Sequence, residues 1–227
     1  MWLPEEAERS AAALWQKSFA EDRKVIALNI GASWKTKRWL DGFFAETADH
    51  FIERGYGIAF FGGPMDEELV TACRAKMRHG ASAELQVFTG RVRLAELAAL
   101  LKRCALFITT DSGPMHVGVA MNVPIVTMFG SSPVPGFYPY DAKDVLIKTP
   151  EDCHPCGKHA CFALTISGLF PILSGLLLAV ADILVNIVPG KSIYIASITT
   201  NIVPTMIIWS GRDRKTRLNS QIGRAHV

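Results

Sequence analysis

Six short apolar runs, each separated from the next by a loop and a segment of helical character, constrain the fold of this 227-residue chain more than any other feature. They read KVIALNI (24–30), YGIAFFGG (56–63), LQVFTG (85–90), ALFITT (105–110), VPIVTMFG (123–130) and DVLIK (144–148). Each has the length of a strand, and most are apolar at consecutive rather than alternate positions. A strand of that kind must be covered on both faces. The intervening segments supply the covers. Residues 5–20 read as a helix opened by Pro4, with Glu5 and Glu6 in a first turn whose dipole favours acids. Residues 40–54 follow a helical pattern, MDEELVTACRAKM (65–77) sets Leu69, Val70 and Cys73 on one side, and RLAELAALLKRC (93–104) is strongly amphipathic. Strand, loop and helix in repetition predict a parallel, doubly wound α/β domain of Rossmann-like form.

In such a sheet, ligands bind beyond the carboxyl ends of the strands. The loops at 31–38, 62–66, 89–93, 110–115 and 130–138 are therefore expected to converge on one crevice. They are rich in Gly, Ser, Thr, Lys and Asp, the chemistry of a phosphate or sugar cleft rather than of an apolar pocket. Charge agrees with that reading. Residues 1–161 carry a net charge of −1 and the remainder +4, so nothing in the main body points to a nucleic-acid partner.

The stretch TTDSGPMHVGVAM (109–121) sits where the fourth run gives way to a helix. Asp111 and Ser112 are good N-cap residues, and Pro114 suits a first helical turn. The free N–H groups of a helix N-terminus also make an anion site. Ser112 and Gly113 would let a diphosphate approach, Gly118 would let the helix lie close to the sheet, and His116 would face the cleft from the first turn. A second element, NIGASWKTKRW (29–39), forms a small-residue turn at Gly31, Ala32 and Ser33 and then brings Lys35, Lys37 and Arg38 to the same crevice. Like charges this close are disfavoured unless an anion lies between them. Trp39 is expected to pack the helix it begins.

LNIGASWKTKRW, FFGGPMDE, TDSGPMHVGVAM and VTMFGSSPVPGFYPY, in that order, resemble the nucleotide-binding half of the family 9 glycosyltransferases, the heptosyltransferases of lipopolysaccharide core assembly. The resemblance covers residues 24–161 and implies the C-terminal half of a GT-B fold, in which two Rossmann-like domains enclose the active site. It also implies an ADP-sugar donor, ADP-heptose, held as substrate with no cofactor required, and a lipid A–core acceptor at the inner membrane surface. Carried onto this sequence, Ser33, Lys35 and Lys37 would meet the donor diphosphate or sugar, and Gly62 and Gly63 would let the chain pass close to the nucleotide. Asp111, Ser112, Gly113, Pro114 and Met115 would cradle the diphosphate, with His116 beside them. The implied reaction is glycosyl transfer with inversion, the leaving ADP stabilised by Lys37 and helix N–H groups.

The family's acceptor domain, implied source of the catalytic base, should precede residue 24, where only an amphipathic helix stands; residues 1–23 are read as a linker helix. A base must reach the acceptor hydroxyl, and no residue here is assigned that task. The chain therefore reads as a donor-binding fragment. The N-terminal segment lacks the basic and continuous apolar regions of a secretory signal, so a cytosolic setting is expected, with Cys73 and Cys104 as reduced core thiols; the resemblance implies a place peripheral to the inner membrane. After Cys161 the composition changes. Residues 162–181 and 192–210 carry no charge, each close to the ~20 residues of a membrane-spanning helix, although Pro171, Pro189, Asn201 and Pro204 interrupt them. The basic end, closing on IGRAHV, has no periodicity, and residues 162–227 are read as a tail foreign to the family. Cys153, Cys156 and Cys161, with His154 and His159, have zinc-like spacing. A structural site takes a second ligand pair and none follows, so no metal is assigned; the cluster resembles one that recurs here in these glycosyltransferases. Two alternatives are a sugar-nucleotide epimerase of the same architecture, for which the 110–115 loop lacks a second acid, and a membrane-anchored nucleotide-sugar-binding module without catalysis.

Overall fold

A computed structural model describes residues 2–134, 137, 139, 145–148, 156–159, 194–195 and 208–209. Every apolar run becomes a strand, shortened at its ends: β1 (Val25–Asn29), β2 (Gly57–Phe61), β3 (Leu85–Val87), β4 (Leu106–Thr110), β5 (Ile125–Phe129) and β6 (Val145–Lys148). They form one sheet of order β3-β2-β1-β4-β5-β6, all neighbours parallel. This is the doubly wound Rossmann-like arrangement expected from the sequence. Two residue pairs, Tyr194–Ile195 and Ile208–Trp209, form a separate antiparallel ladder.

The pleat divides the strands between two cores. Ile26 and Leu28, Ile58 and Phe60, Leu106 and Ile108 face one side. There they meet Phe44, Ala48 and Phe51 of α2 (Asp41–Glu53) and Val70 and Cys73 of α3 (Glu67–Lys76). Val25, Ala27, Ala59, Phe61, Phe107 and Ile125 face the other, under α1 (Glu5–Ser18), α4 (Leu94–Leu101) and α5 (Gly113–Ala120). Alternate side chains of a strand leave on opposite faces, so two buried faces require the unbroken apolar runs. A Cβ built on Gly118 would lie 2.7 Å from Phe107 Cδ1 and 3.1 Å from Ile125 Cδ1, so α5 sits on the sheet at a distance that only glycine permits there.

The segment read as a linker helix is docked on this domain. α1 buries Ala7, Ala11 and Trp15, and Trp15 continues through Phe19 (ring centroids 5.0 Å apart) into Phe88 and Phe61. Its Ser10 hydroxyl donates to Glu96 Oε1 at 2.7 Å. Glu96 stands at the third position of α4 and takes the Arg93 N–H on its other oxygen at 2.8 Å. One buried carboxylate thus closes the N-terminus of α4 and ties α1 to it. Those two hydrogen bonds, Ser10 first, hold the Glu96 carboxyl below its ordinary pKa.

Among the described residues, no helix is long and apolar enough to cross a membrane. The apolar stretches at 162–181 and 192–210 lie, but for Tyr194, Ile195, Ile208 and Trp209, outside the described residues.

Candidate functional site

β1 and β4 are neighbours, and the chain leaves them in opposite directions, towards β2 and towards β5. That reversal opens a crevice at their carboxyl ends. Each strand ends there in buried polar residues: Asn29 on β1, Thr109 and Thr110 on β4, then Asp111. Asn29 Nδ2 donates towards Ser112 Oγ at 2.8 Å, Thr109 Oγ1 at 3.1 Å and the Gly31 carbonyl at 3.2 Å. The Thr110 hydroxyl donates to the same Gly31 carbonyl at 2.7 Å. The turn after β1 is therefore fastened to the turn after β4 across the gap.

Over that seam, Lys37 Nζ lies 2.9 Å from Asp111 Oδ2. Asp111 is only 4% exposed and Lys37 18%. The contact is an ion pair whose angles fall outside hydrogen-bond geometry, so Oδ2 keeps acceptor capacity. The ammonium also lies 4.5 Å from the centre of the Trp34 indole, a cation–π contact. The anion that the basic loop requires is thus, for Lys37, a carboxylate of the protein itself. Lys37 sits in a single 3-10 turn, Lys35–Lys37. Arg38 donates to the Ala32 carbonyl at 2.8 Å and braces the loop from within.

The other expected residues divide by where their side chains go. Ser33 and Lys35 are exposed on the same loop. Ser112 occupies the N-cap of α5 but makes no side-chain cap. Its hydroxyl is taken by Asn29 and donates to the Thr110 carbonyl at 3.2 Å, which corrects the capping role expected of it. Of the first-turn positions, Pro114 has no N–H and that of Met115 is bonded to the Ser112 carbonyl, so the Gly113 N–H is the donor the helix start offers an anion. A Cβ on Gly113 would meet nothing within 4 Å, so the helix start is open to approach. Pro114 is half-buried and His116 exposed. Met115 is fully buried, with the Thr127 hydroxyl 3.2 Å from its sulfur. Its side chain is core, and its N–H donates to the Ser112 carbonyl at 3.1 Å. Gly62 has φ +154°, and the Gly63 N–H donates to Asp66 Oδ2 at 2.9 Å. The Asp66 carboxylate occupies the space a Cβ on Gly31 would need, 2.2 Å away, which brings the turn after β2 against the turn after β1.

Several residues of the site were not singled out from the sequence: Asn29, Trp34, Thr36, Asp66, Ser131 and Lys158, while Cys156 and His159 were singled out for metal-like spacing rather than for this crevice. His159 stacks on Trp34 with ring centroids 3.8 Å apart and 30° between planes. That places one residue of the cysteine–histidine cluster in the crevice wall. Cys156 is a half-buried free thiol, and Cys153, His154 and Cys161 lie outside the described residues. Among the described residues, no group of three or more His, Cys, Asp or Glu side chains could hold a metal ion. The loop at 130–138 is described only in part.

Residues 3–166 match the model of glycosyltransferase family 9 (heptosyltransferase). Lipopolysaccharide heptosyltransferase 2 of Escherichia coli K12 is 33% identical over 125 residues, 55% of this chain and 36% of that protein. Lipooligosaccharide heptosyltransferase 2 of Haemophilus influenzae is 29% identical over 141 residues, 60% of this chain and 40% of that one. Among solved structures, a family 9 glycosyltransferase from Veillonella parvula superposes with a TM-score of 0.70 at 33% identity, covering 82% of this chain and 53% of that one. The ADP-heptose lipopolysaccharide heptosyltransferase II of E. coli gives 0.67 at 25% identity, with the same coverage. The chain thus spans a little over a third of the curated relatives and about half of the solved ones.

Proposed function

This chain belongs to glycosyltransferase family 9, and we propose that it is the donor-binding half of a heptosyltransferase-type enzyme of lipopolysaccharide core assembly. The observation that carries this reading is the Lys37–Asp111 pair, set at the junction of β1 and β4 beside the uncapped start of α5. A nucleoside diphosphate-sugar is the ligand that such a place fits. Its diphosphate would take the Gly113 N–H at the positive end of α5 and the Lys37 ammonium, and Asp111 would hold that ammonium in line and accept from a sugar hydroxyl. The donor is ADP-heptose, and Ser33, Lys35, Gly62, Gly63 and His116 line its approach.

In the transfer, an acceptor hydroxyl on the lipid A–core attacks the anomeric carbon from the face opposite the diphosphate. The bond from that carbon to the phosphate oxygen breaks, and ADP leaves with the electron pair. Charge gathering on the leaving oxygen is what Lys37 and the Gly113 N–H at the positive end of α5 stabilise. The hydroxyl proton goes to a base supplied by an acceptor domain, so this chain alone binds donor and transfers little or nothing. The working location is the cytoplasmic face of the inner membrane, where the acceptor is presented.

Calorimetric titration of the chain with ADP, UDP and ADP-heptose tests the reading. Saturable binding of the two ADP species in preference to UDP, weakened by Lys37→Ala and by Asp111→Ala, is the expected result. A folded chain that binds none of them, or binds equally well without Lys37, overturns it.

A further inference from the structure

The structure assigns Thr36 the role of a positioning residue: it latches the Lys37 turn to the segment 156–159 and so sets where the ammonium stands. The inference rests on the proposal that Lys37 binds the donor diphosphate.

Thr36 lies between two lysines in a basic loop, yet it is 3% exposed. Its hydroxyl is 2.7 Å from the Lys158 carbonyl and 2.9 Å from Ser131 Oγ. A carbonyl only accepts, so Thr36 donates to Lys158 and receives its second bond from Ser131. The backbone follows the same path. The Ser131 N–H donates to the Thr36 carbonyl at 3.3 Å, and the Gly157 N–H donates to the Ser131 carbonyl at 2.8 Å. A Cβ on Gly130 would come within 2.0 Å of the Thr36 carbonyl oxygen, so the turn after β5 has been brought against this residue as closely as glycine allows. Three segments far apart in the chain thus meet on one hydroxyl.

The neighbours of Thr36 show what the latch governs. On one side Trp34 is stacked on His159, and on the other Lys37 reaches both the Trp34 indole and Asp111. Thr36 is buried and has no route to a ligand. Its influence must pass through the placement of Lys37 and of the indole beneath it. Valine has the shape of threonine but would leave the Lys158 carbonyl unpaired and Ser131 Oγ without its acceptor, whereas serine keeps both bonds.

The test is ADP affinity by calorimetry on the full chain, for the wild type, Thr36→Ser, Thr36→Val, Lys37→Ala and the Thr36→Val/Lys37→Ala pair, with folding checked by circular dichroism. Thr36→Ser should bind within about twofold of the wild type, and Thr36→Val roughly tenfold more weakly, the scale of one buried and one part-buried hydrogen bond lost. In the Lys37→Ala background, Thr36→Val should cost nothing further, because its effect runs through the missing ammonium. Should Thr36→Val fail to fold, Ser131→Ala withdraws one bond of the latch from the other side and should weaken ADP in the same direction. Wild-type affinity in Thr36→Val, or in Ser131→Ala where that variant stands in for it, refutes the assignment, as does an equal loss with and without Lys37. A wild type that does not bind ADP refutes the donor reading beneath it instead.

Discussion

Replacing Lys37 by methionine separates what the ion pair does for the fold from what it does for a ligand. Asp111 is 4% exposed, and its Oδ2 has the Lys37 ammonium as its one charged partner among the described residues. Methionine keeps the length and removes the charge, leaving a carboxylate buried without compensation. Breaking a buried pair in this way costs about 3–5 kcal/mol. Lys37 keeps 18% of its surface, so water can reach part of the pair, and the lower end, about 3 kcal/mol, is expected. With a urea slope of about 2 kcal/mol per molar, the unfolding midpoint should fall by about 1.5 M. Asp111→Asn should cost less, because a freed lysine can extend its ammonium to water and a buried carboxylate cannot. The double variant Lys37→Met/Asp111→Asn removes both charges and should regain most of the midpoint, since a neutral pair of similar volume is tolerated. It should not regain ADP binding, which needs the cation. The reasoning fails if the single and double variants are equally unstable, or if Lys37→Met unfolds at the wild-type midpoint.

Three further outcomes follow from the packing. Trp15→Ala should lower stability by about 3–5 kcal/mol, measured by urea unfolding, because α1 is docked on α4; a change near zero would restore it to a linker. Glu96 is held below its ordinary pKa by Ser10 and the Arg93 N–H, so the stability it adds is fully present above the ordinary glutamate value of about 4.3 and is lost as pH falls through the lower folded value. Urea midpoints followed from pH ~7 to ~3 should therefore fall less steeply in Glu96→Gln than in the wild type, and parallel curves would contradict the assignment. Burial, the largest effect, pushes the Cys73 thiol up to about 12 and raises Cys104 as well, so neither should be alkylated by iodoacetamide at pH ~8 until the domain is unfolded. Rapid labelling of either in the folded chain, read by peptide mass, would show that its face of the sheet is open.

How much of this was legible beforehand depends on the range of the interaction. The sheet was, because strands buried on both faces carry their signature in consecutive residues: Val25–Leu28 and Leu106–Ile108 are fully buried, and each reads as an apolar run on its own. The location of the crevice follows from the same pattern, since parallel connections put every strand-to-helix turn at one end. Partnerships were not. The spacing of Lys37 and Asp111 does not mark them as a pair, and Ser112 has the right chemistry for a cap until Asn29, 83 residues away, takes its hydroxyl. α1 shows in its periodicity that it packs, but not on what. Thr36 was hidden by its neighbours, because a threonine among lysines looks solvated and only Ser131 and Lys158 make it buried. One signal was present and unused. Asn29 ends an otherwise apolar strand on the ligand side, and Thr109, Thr110 and Asp111 do the same on the strand beside it. A buried polar side chain costs stability unless it is paired, so a fold that places four at the carboxyl ends of its two central strands must pair them across the gap. That demand, readable from KVIALNI and ALFITTD, locates the seam on which Lys37 and the start of α5 converge.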